Sequence, residues 1–282
     1  MRSLLLVAAH DERALETALS AHADAIVFDL DVAVPDEDKD EARRNALAML
    51  RHRQDDWPPL YVRISGLRSA YSEGDLDVVM TGAPEGIVLP ATYGSADLMR
   101  LDSRLAVREA LHGLHDGETR VIAAMAPSFV SGIANGGGLK PMRRLVGLSW
   151  TPLAPPAPAT AGPSTNGAEG DEPARILRAS CVLAAAAIDV PAIDCAEDEA
   201  SGIASWRRSN EAALRDGFAA KFAVSPAQIE PINEAFARLA DEGDAPTESP
   251  QEAAASSPEP RKKSRRRKRR VGLFAGVRRK RT

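Results

Sequence analysis

Five charged residues stand at the ends of short apolar runs, which is where a sheet protein can position reactive groups. Asp29 and Asp31 are two positions apart in A-I-V-F-D-L-D, so on one strand their side chains would point to the same face. Carboxylate oxygens suit a hard cation such as Mg²⁺, and the two residues are candidate metal ligands. The alternative is that one of them only places negative charge at the start of the following helix.

Arg63 lies near the end of the run L-Y-V-R-I-S, and its planar guanidinium could hold a substrate carboxylate through two parallel hydrogen bonds. Its alternative role is an ion pair within the protein. Asp194 and Lys221 close two later runs, V-P-A-I-D and F-A-A-K, and are candidate catalytic residues. Lys221 could instead neutralise a buried carboxylate such as Asp194 or Asp29.

The elements that must carry these residues alternate along the chain in the pattern of parallel βα units. The predicted strands are Leu4–Ala8, Ala25–Leu30, Leu60–Ile64, Gly86–Leu89, Val121–Met125, Leu145–Leu148, Val190–Ile193 and Phe222–Val224. The predicted helices include Asp11–His22, Asp36–His52, Ser95–Leu114, Ala174–Ile188 and Pro226–Ala240. This alternation over residues 1–240 predicts an α/β fold of the (β/α)8 TIM barrel class, with a doubly wound open sheet as the alternative.

Three segments depart from this pattern. Residues 151–173 are rich in Pro, Ala and Gly and predict a mobile loop. Residues 241–260 form an acidic Pro/Ala/Ser linker with too little apolar surface to fold. Residues 261–282 carry 13 Lys or Arg and no acid, whereas residues 1–260 carry 23 bases and 40 acids. The last segment therefore predicts a disordered basic tail.

The basic tail has three candidate surroundings. Its run of bases can contact nucleic-acid phosphates without sequence specificity. The segment V-G-L-F-A-G-V between the bases could instead rest on an anionic membrane surface. In the third case the tail is solvated and folds back on the acidic body.

Other patterns limit the classes of protein. The only two cysteines, Cys181 and Cys195, lack the spacing of a metal or redox motif, which excludes a disulfide scaffold and favours the cytoplasm. His112 and His115 precede a turn and form no zinc-binding motif. Residues 1–9 favour a first buried strand over a signal peptide. No run approaches the roughly 18 apolar residues that a transmembrane helix needs.

Segments between residues 1 and 235 together carry a resemblance to a known family. They are M-R-S-L-L-L-V-A-A-H-D-E-R-A-L, A-D-A-I-V-F-D-L-D-V-A-V-P, D-K-D-E-A-R, P-L-Y-V-R-I-S, E-G-I-V-L-P, V-P-A-I-D and G-F-A-A-K-F-A-V-S-P-A-Q-I-E-P-I-N. The last segment is the most discriminating. In these segments the chain resembles the citrate lyase beta-subunit family of CoA-ester lyases.

The resemblance implies a (β/α)8 barrel that cleaves or forms a carbon–carbon bond beside a CoA thioester carbonyl. It implies a Mg²⁺ ion that holds a 2-oxo acid and assigns the substrate carboxylate to Arg63. The family's two metal carboxylates align with Ala126 and Pro152, whose side chains cannot ligate a cation. A homo-oligomer, a trimer or larger, is also implied.

Taken with the resemblance, these substitutions predict a pseudoenzyme. Its metal-dependent lyase activity would be reduced or lost, and its barrel mouth would still bind an anion such as a small 2-oxo acid or an acyl-CoA. The alternative is an active carbon–carbon lyase that recruits its cation through Asp29, Asp31 or a neighbouring subunit.

Overall fold

The computed structural model describes residues 1–129, 142–150 and 172–237. Within them eight parallel strands close into a barrel in chain order, with the last strand beside the first. The strands are β1 Ser3–Ala8, β2 Ala25–Asp29, β3 Leu60–Arg63, β4 Gly86–Thr92, β5 Arg120–Met125, β6 Leu145–Trp150, β7 Ala192–Asp194 and β8 Ala220–Ala223. The closed order confirms the predicted (β/α)8 barrel and excludes the open sheet.

Seven α-helices that lie wholly within the described residues alternate with these strands. They are α1 Glu12–Leu19, α2 Lys39–Arg51, α3 Ser72–Val79, α4 Ser95–His112, α5 Glu172–Ala187, α6 Ile203–Asp216 and α7 Ile229–Phe236. None of the helices in this part of the chain combines the length and the apolar character needed to cross a bilayer.

Several element bounds differ from the predicted ones for local reasons. Strand β7 begins at Ala192 rather than Val190, because Pro191 has no N–H for the ladder and the N–H of Val190 bonds back to helix α5. Helix α1 stops before His22, whose positive φ of 56° is not helical. Helix α5 starts at Glu172, so the last two residues of the predicted loop 151–173 are helical.

The predicted set of helices omits α3 and α6. In α6 the buried positions are Trp206, Asn210 and Ala213. The polar Asn210 interrupts the apolar stripe by which a helix is recognised in a sequence.

Strand side chains alternate between two apolar layers. The inner layer fills the barrel with Leu4, Ala25, Val27, Tyr61, Val88, Ile122, Ile193, Ala220 and Phe222. The outer layer packs strand residues such as Phe28 and Leu148 in one cluster with helical residues such as Leu105. The inner layer packs closely at Gly147, where an added Cβ would lie 2.6 Å from Cδ1 of Ile193 and the end of that side chain would have to move.

A buried charge pair fixes the N-terminal side of β5 and β6. Glu109 of α4 is 0% exposed and Arg144, just before β6, is 2% exposed. Arg144 Nη1 donates to Glu109 Oε1 at 2.5 Å, and the same carboxylate accepts the N–H groups of Gly117 and Thr119 at 3.0 and 2.8 Å. Burial alone would raise the pKa of Glu109, but these hydrogen bonds outweigh it and lower that pKa.

Replacement of this buried arginine should destabilise the fold strongly. Arg144→Met should lower the free energy of unfolding by about 3–5 kcal/mol at pH 7, because it leaves a buried carboxylate without its cation. The matched control Arg207→Met breaks a pair with Glu234 whose side chains are 60% and 56% exposed, and it should change that energy by about 0–1 kcal/mol. Denaturant unfolding measures both.

The same pair should respond to acid. The folded-state pKa of Glu109 is lowered, so its contribution is present above the unfolded-state pKa and is lost as the pH falls through the folded value. The difference in free energy of unfolding between wild type and Arg144→Met should therefore shrink below about pH 4.3. Equal destabilisation by Arg144→Met and Arg207→Met would contradict a stabilising role for the buried pair of Arg144 and Glu109.

Candidate functional site

The C-terminal ends of β2 and β3 bring Asp29 and Arg63 together. The two residues are register partners on adjacent strands, and both face the interior because Val27 and Tyr61, two positions earlier, fill the barrel. Arg63 Nε donates to Asp29 Oδ1 at 2.7 Å, and Nη2 donates to Oδ2 at 2.5 Å. This two-bond ion pair lies at the end of the barrel where proteins of this fold build their sites.

Neighbouring groups fix the Asp29 carboxylate and the chain that follows it. Its oxygens accept the backbone N–H groups of Asp31 at 2.8 Å and Ala33 at 3.4 Å. The Lys39 ammonium donates to the carbonyls of Leu30 and Asp31 at 2.6 and 2.7 Å. Asp29 is 1% exposed, so its oxygens are engaged by the protein rather than by solvent.

Asp31 lies beyond the end of β2, which stops at Asp29. The strand alternation that predicted a shared face for the two acids therefore does not reach Asp31. No described residue gives the Asp31 carboxylate a hydrogen bond. Burial raises the pKa of Asp31 and the Asp29 charge adds to this, while the Arg63 guanidinium lowers it, and the net shift is upward.

One edge of the Arg63 guanidinium stays available. The bonds to Asp29 use Nε and Nη2, and no acceptor for Nη1 occurs in the part of the chain that the structure describes. The Arg63 side chain is 18% exposed. The edge formed by Nη1 and Nη2 has the geometry to receive both oxygens of a second carboxylate.

Lys221 and Asp194 lie on the other side of the barrel wall. Lys221 faces the helices because its neighbours Ala220 and Phe222 fill the interior, and Asp194 is its register partner on β7. Lys221 Nζ donates to Ser209 Oγ of α6 at 2.6 Å and lies 3.7 Å from Asp194 Oδ2. The structure therefore does not bring these two predicted catalytic residues together with Arg63.

Asp194 is the centre of a separate buried cluster. It accepts hydrogen bonds from Trp150 Nε1 at 2.8 Å and from Arg178 Nε and Nη2 at 3.3 and 3.2 Å. Sequence reasoning missed Trp150 and Arg178. The available signal for Arg178 is its place on α5 between the buried Leu177 and Cys181, where a charge needs a partner.

His10 also stands at the barrel mouth and was assigned no role from the sequence. It follows β1, whose last residue Ala8 pairs with Asp29, and the N–H of Ala9 donates to the Asp29 carbonyl at 3.0 Å. His10 Nδ1 is buried and has no hydrogen-bond partner among the described residues. A single histidine without ligand spacing gives no signal in a sequence.

Comparison with known proteins bears on this barrel mouth. Residues 2–127, which include Asp29, Arg63 and Ala126, match the HpcH/HpaI aldolase/citrate lyase family. The citrate lyase subunit beta of Escherichia coli (strain K12) is 26% identical over 243 residues, which cover 84% of this chain and 76% of that protein. The chain is similar to citrate lyase beta subunits over 84% of its length.

Two more similar proteins are informative. A (3S)-malyl-CoA thioesterase of Cereibacter sphaeroides is 34% identical over 97 residues, 34% of each chain. The structure of the citrate lyase beta subunit from M. tuberculosis, complexed with oxaloacetate and magnesium, superposes with a TM-score of 0.64 at 22% identity, covering 83% of this chain and 96% of that one. At this identity the second likeness shows the fold alone.

The described residues do not fit the Mg²⁺ site that the resemblance implies. Ala126, just after β5, is 3% exposed and offers a methyl group, while its N–H donates to the Thr92 carbonyl at 3.0 Å. Asp29 is engaged by Arg63, and Pro152 lies outside the described residues. In the described part of the chain no three Asp, Glu, His or Cys side chains are grouped to hold a metal ion.

Asp31→Asn should stabilise the protein at pH 7, because it removes a carboxylate whose charged form is disfavoured by burial. A raised folded-state pKa means that the wild type loses stability as the pH rises above the unfolded-state value of about 3.9. The free energies of unfolding of the two proteins should therefore converge at about pH 3 and separate as the pH rises. Denaturant unfolding across this range measures the difference, and a gap that widens towards low pH would contradict the burial of Asp31.

Proposed function

We propose that this citrate lyase beta-like protein binds a small carboxylate at Arg63 and that its metal-dependent carbon–carbon lyase activity is reduced or lost. The observation that carries the proposal is the ion pair between Arg63 and Asp29. This ion pair leaves the edge formed by Nη1 and Nη2 of Arg63 open to an anion. It also occupies Asp29, an acid that a substitute cation site would need. The ligand at Arg63 is a small 2-oxo acid, and an acyl-CoA, which is an anion through its phosphates, is the alternative ligand of the barrel mouth.

Carboxylate binding is supported by the direction in which the Arg63 side chain points, by its exposure and by its rigidity. Arg63 faces the interior at the barrel mouth, and 18% of its side chain is exposed. Because Asp29 already holds the guanidinium plane, a second carboxylate would bind without freezing a mobile side chain. The oxaloacetate bound by the M. tuberculosis beta subunit is a dianion of this class.

Reduced catalysis is supported by the loss of oxygen ligands. Cleavage beside a thioester carbonyl develops negative charge on oxygen, which a divalent cation stabilises when it is bound. The side chains of Ala126 and Pro152 carry no oxygen. Burial raises the pKa of Asp31, so the carboxylate form, which a hard cation prefers, is less stable there than it would be in water.

An active carbon–carbon lyase with substitute ligands is the second candidate, and Asp31 is the observation that favours it. Its carboxylate has no hydrogen bond among the described residues, so together with Asp29 or a neighbouring subunit it could recruit a cation. The (3S)-malyl-CoA thioesterase among the relatives indicates CoA esters as substrates in this case. The two candidates differ in the Mg²⁺ affinity of the unmodified protein.

Further parts of the proposal rest on the sequence. Residues 151–171, the linker 241–260 and the tail 261–282 lie outside the described residues. We propose that the 13 bases of the tail contact nucleic acid or an anionic membrane surface. The homotrimer and the cytoplasmic location also stay predictions.

The carboxylate site can be tested by titration calorimetry with oxaloacetate at pH 7. Arg63→Met should weaken binding by about 10- to 100-fold, because a charge-assisted pair of hydrogen bonds is lost. Arg63→Lys keeps the charge without the fork and should also bind more weakly than wild type. The surface substitution Arg207→Met is the control and should leave the affinity unchanged. Equal affinities in wild type and both Arg63 variants would reduce Arg63 to a structural residue.

The metal site can be tested by restoring the ligands. Ala126→Glu combined with Pro152→Asp should raise Mg²⁺ affinity by about 10-fold or more, because it supplies two carboxylates. The matched control, Ala126→Gln with Pro152→Asn, has side chains of the same shape without the charges. It should not raise Mg²⁺ affinity.

Calorimetric titration of the unmodified protein with Mg²⁺ separates the two candidate functions. Weak binding supports reduced activity. Tight binding that is lost in Asp29→Asn or Asp31→Asn supports the active lyase instead, and tight binding that survives both substitutions would refute the proposed loss of the metal site.

A further inference from the structure

A small cavity lies behind the barrel wall, between β8 and helices α6 and α7. Its volume is about 10 Å³, which is at the lower limit for one water molecule. Glu197, Asn210 and Lys221 contribute polar groups to its lining, beside apolar side chains such as Trp206 and Ile232. Glu197 follows β7, Asn210 belongs to α6 and Lys221 to β8, so the cavity joins three successive parts of the chain.

Two of these residues have atoms whose hydrogen-bonding capacity is unmet. Glu197 Oε2 and Asn210 Nδ2 are buried and have no partner among the described residues, and Asn210 as a whole is 1% exposed. Lys221 is 2% exposed and donates to Ser209 Oγ at 2.6 Å. Its ammonium lies 3.9 Å from Glu197 Oε1, too far for a direct hydrogen bond.

We infer that this cavity binds one ordered water molecule, which accepts hydrogen bonds from Asn210 Nδ2 and Lys221 Nζ and donates one to Glu197 Oε2. The mixture of two donors and one acceptor selects this ligand. A cation would be repelled by the Lys221 ammonium and an anion by the Glu197 carboxylate. Water can both accept and donate, and the volume admits nothing larger.

The water completes a network that braces the last two βα units. The carbonyl of Glu197 accepts from Gln228 Nε2 at 2.9 Å, and Gln228 Oε1 accepts the N–H of Val224 at 2.8 Å. The loop after β7 is thereby tied to the loop after β8. This network gives Lys221, which faces away from the proposed carboxylate site, the role of holding the water.

A crystal structure of the full chain, at a resolution that shows ordered solvent, tests the inference directly. A density peak about 2.6–3.2 Å from Glu197 Oε2, Asn210 Nδ2 and Lys221 Nζ is expected. No peak at that place, or a direct hydrogen bond between Glu197 and Asn210, would overturn the inference.

A solution measurement tests the same site independently. Oxygen-17 relaxation dispersion counts long-lived internal waters, and Asn210→Leu should lower the count by one relative to wild type, because it removes a donor. The neighbouring exposed residue supplies the control, Glu211→Gln, which should leave the count unchanged. Equal counts in all three proteins would refute the site, and if Asn210→Leu does not fold, the wild-type crystal structure decides.

Discussion

A closed parallel barrel allows each strand residue only two surroundings, the filled interior or the layer of helices. Because successive side chains of a strand point to opposite sides, the position of a residue in this alternation, its parity, decides between the two surroundings. Asp29 and Arg63 share the parity of Val27 and Tyr61 and face the interior, whereas Lys221 lies between two interior residues and faces α6. A shift of one residue in the register of β8 would exchange these surroundings. The distribution of charge in this protein therefore follows from the register of its strands.

Burial then requires that each of these charges has a partner. An isolated buried charge is too costly to persist, so a fold that buries one must also supply hydrogen bonds or an opposite charge. Asp29 meets this requirement with Arg63, and Asp194 meets it with Arg178 and the Trp150 indole. The two clusters lie on opposite sides of the barrel wall. Only the first faces the interior at the barrel mouth, which makes it the candidate for ligand binding.

The barrel could be predicted from the sequence because its evidence is local. Eight apolar runs separated by helical stretches are visible without knowledge of any contact. The surroundings of Lys221 could not be predicted, because the predicted strand Phe222–Val224 began one residue after it and left its parity undefined. Trp150 was missed for a similar reason, since the predicted strand Leu145–Leu148 ended before it, whereas β6 continues to Trp150. Contacts between distant positions, such as Asp194 with Arg178, leave no local pattern at all.

The fold does not depend on metal ligands at the barrel mouth. A ligand position there can therefore change without loss of the folded structure. The apolar layers inside and outside the barrel lie along the strands, whereas Ala126 stands just past the end of β5, where its N–H already bonds to Thr92. An alanine at this place costs the barrel little, so loss of a ligand and retention of the fold are compatible. Arg63 likewise has a place in the fold without any ligand. Asp29 alone gives this arginine a structural partner, and the functional interpretation depends on the guanidinium edge that Asp29 does not use.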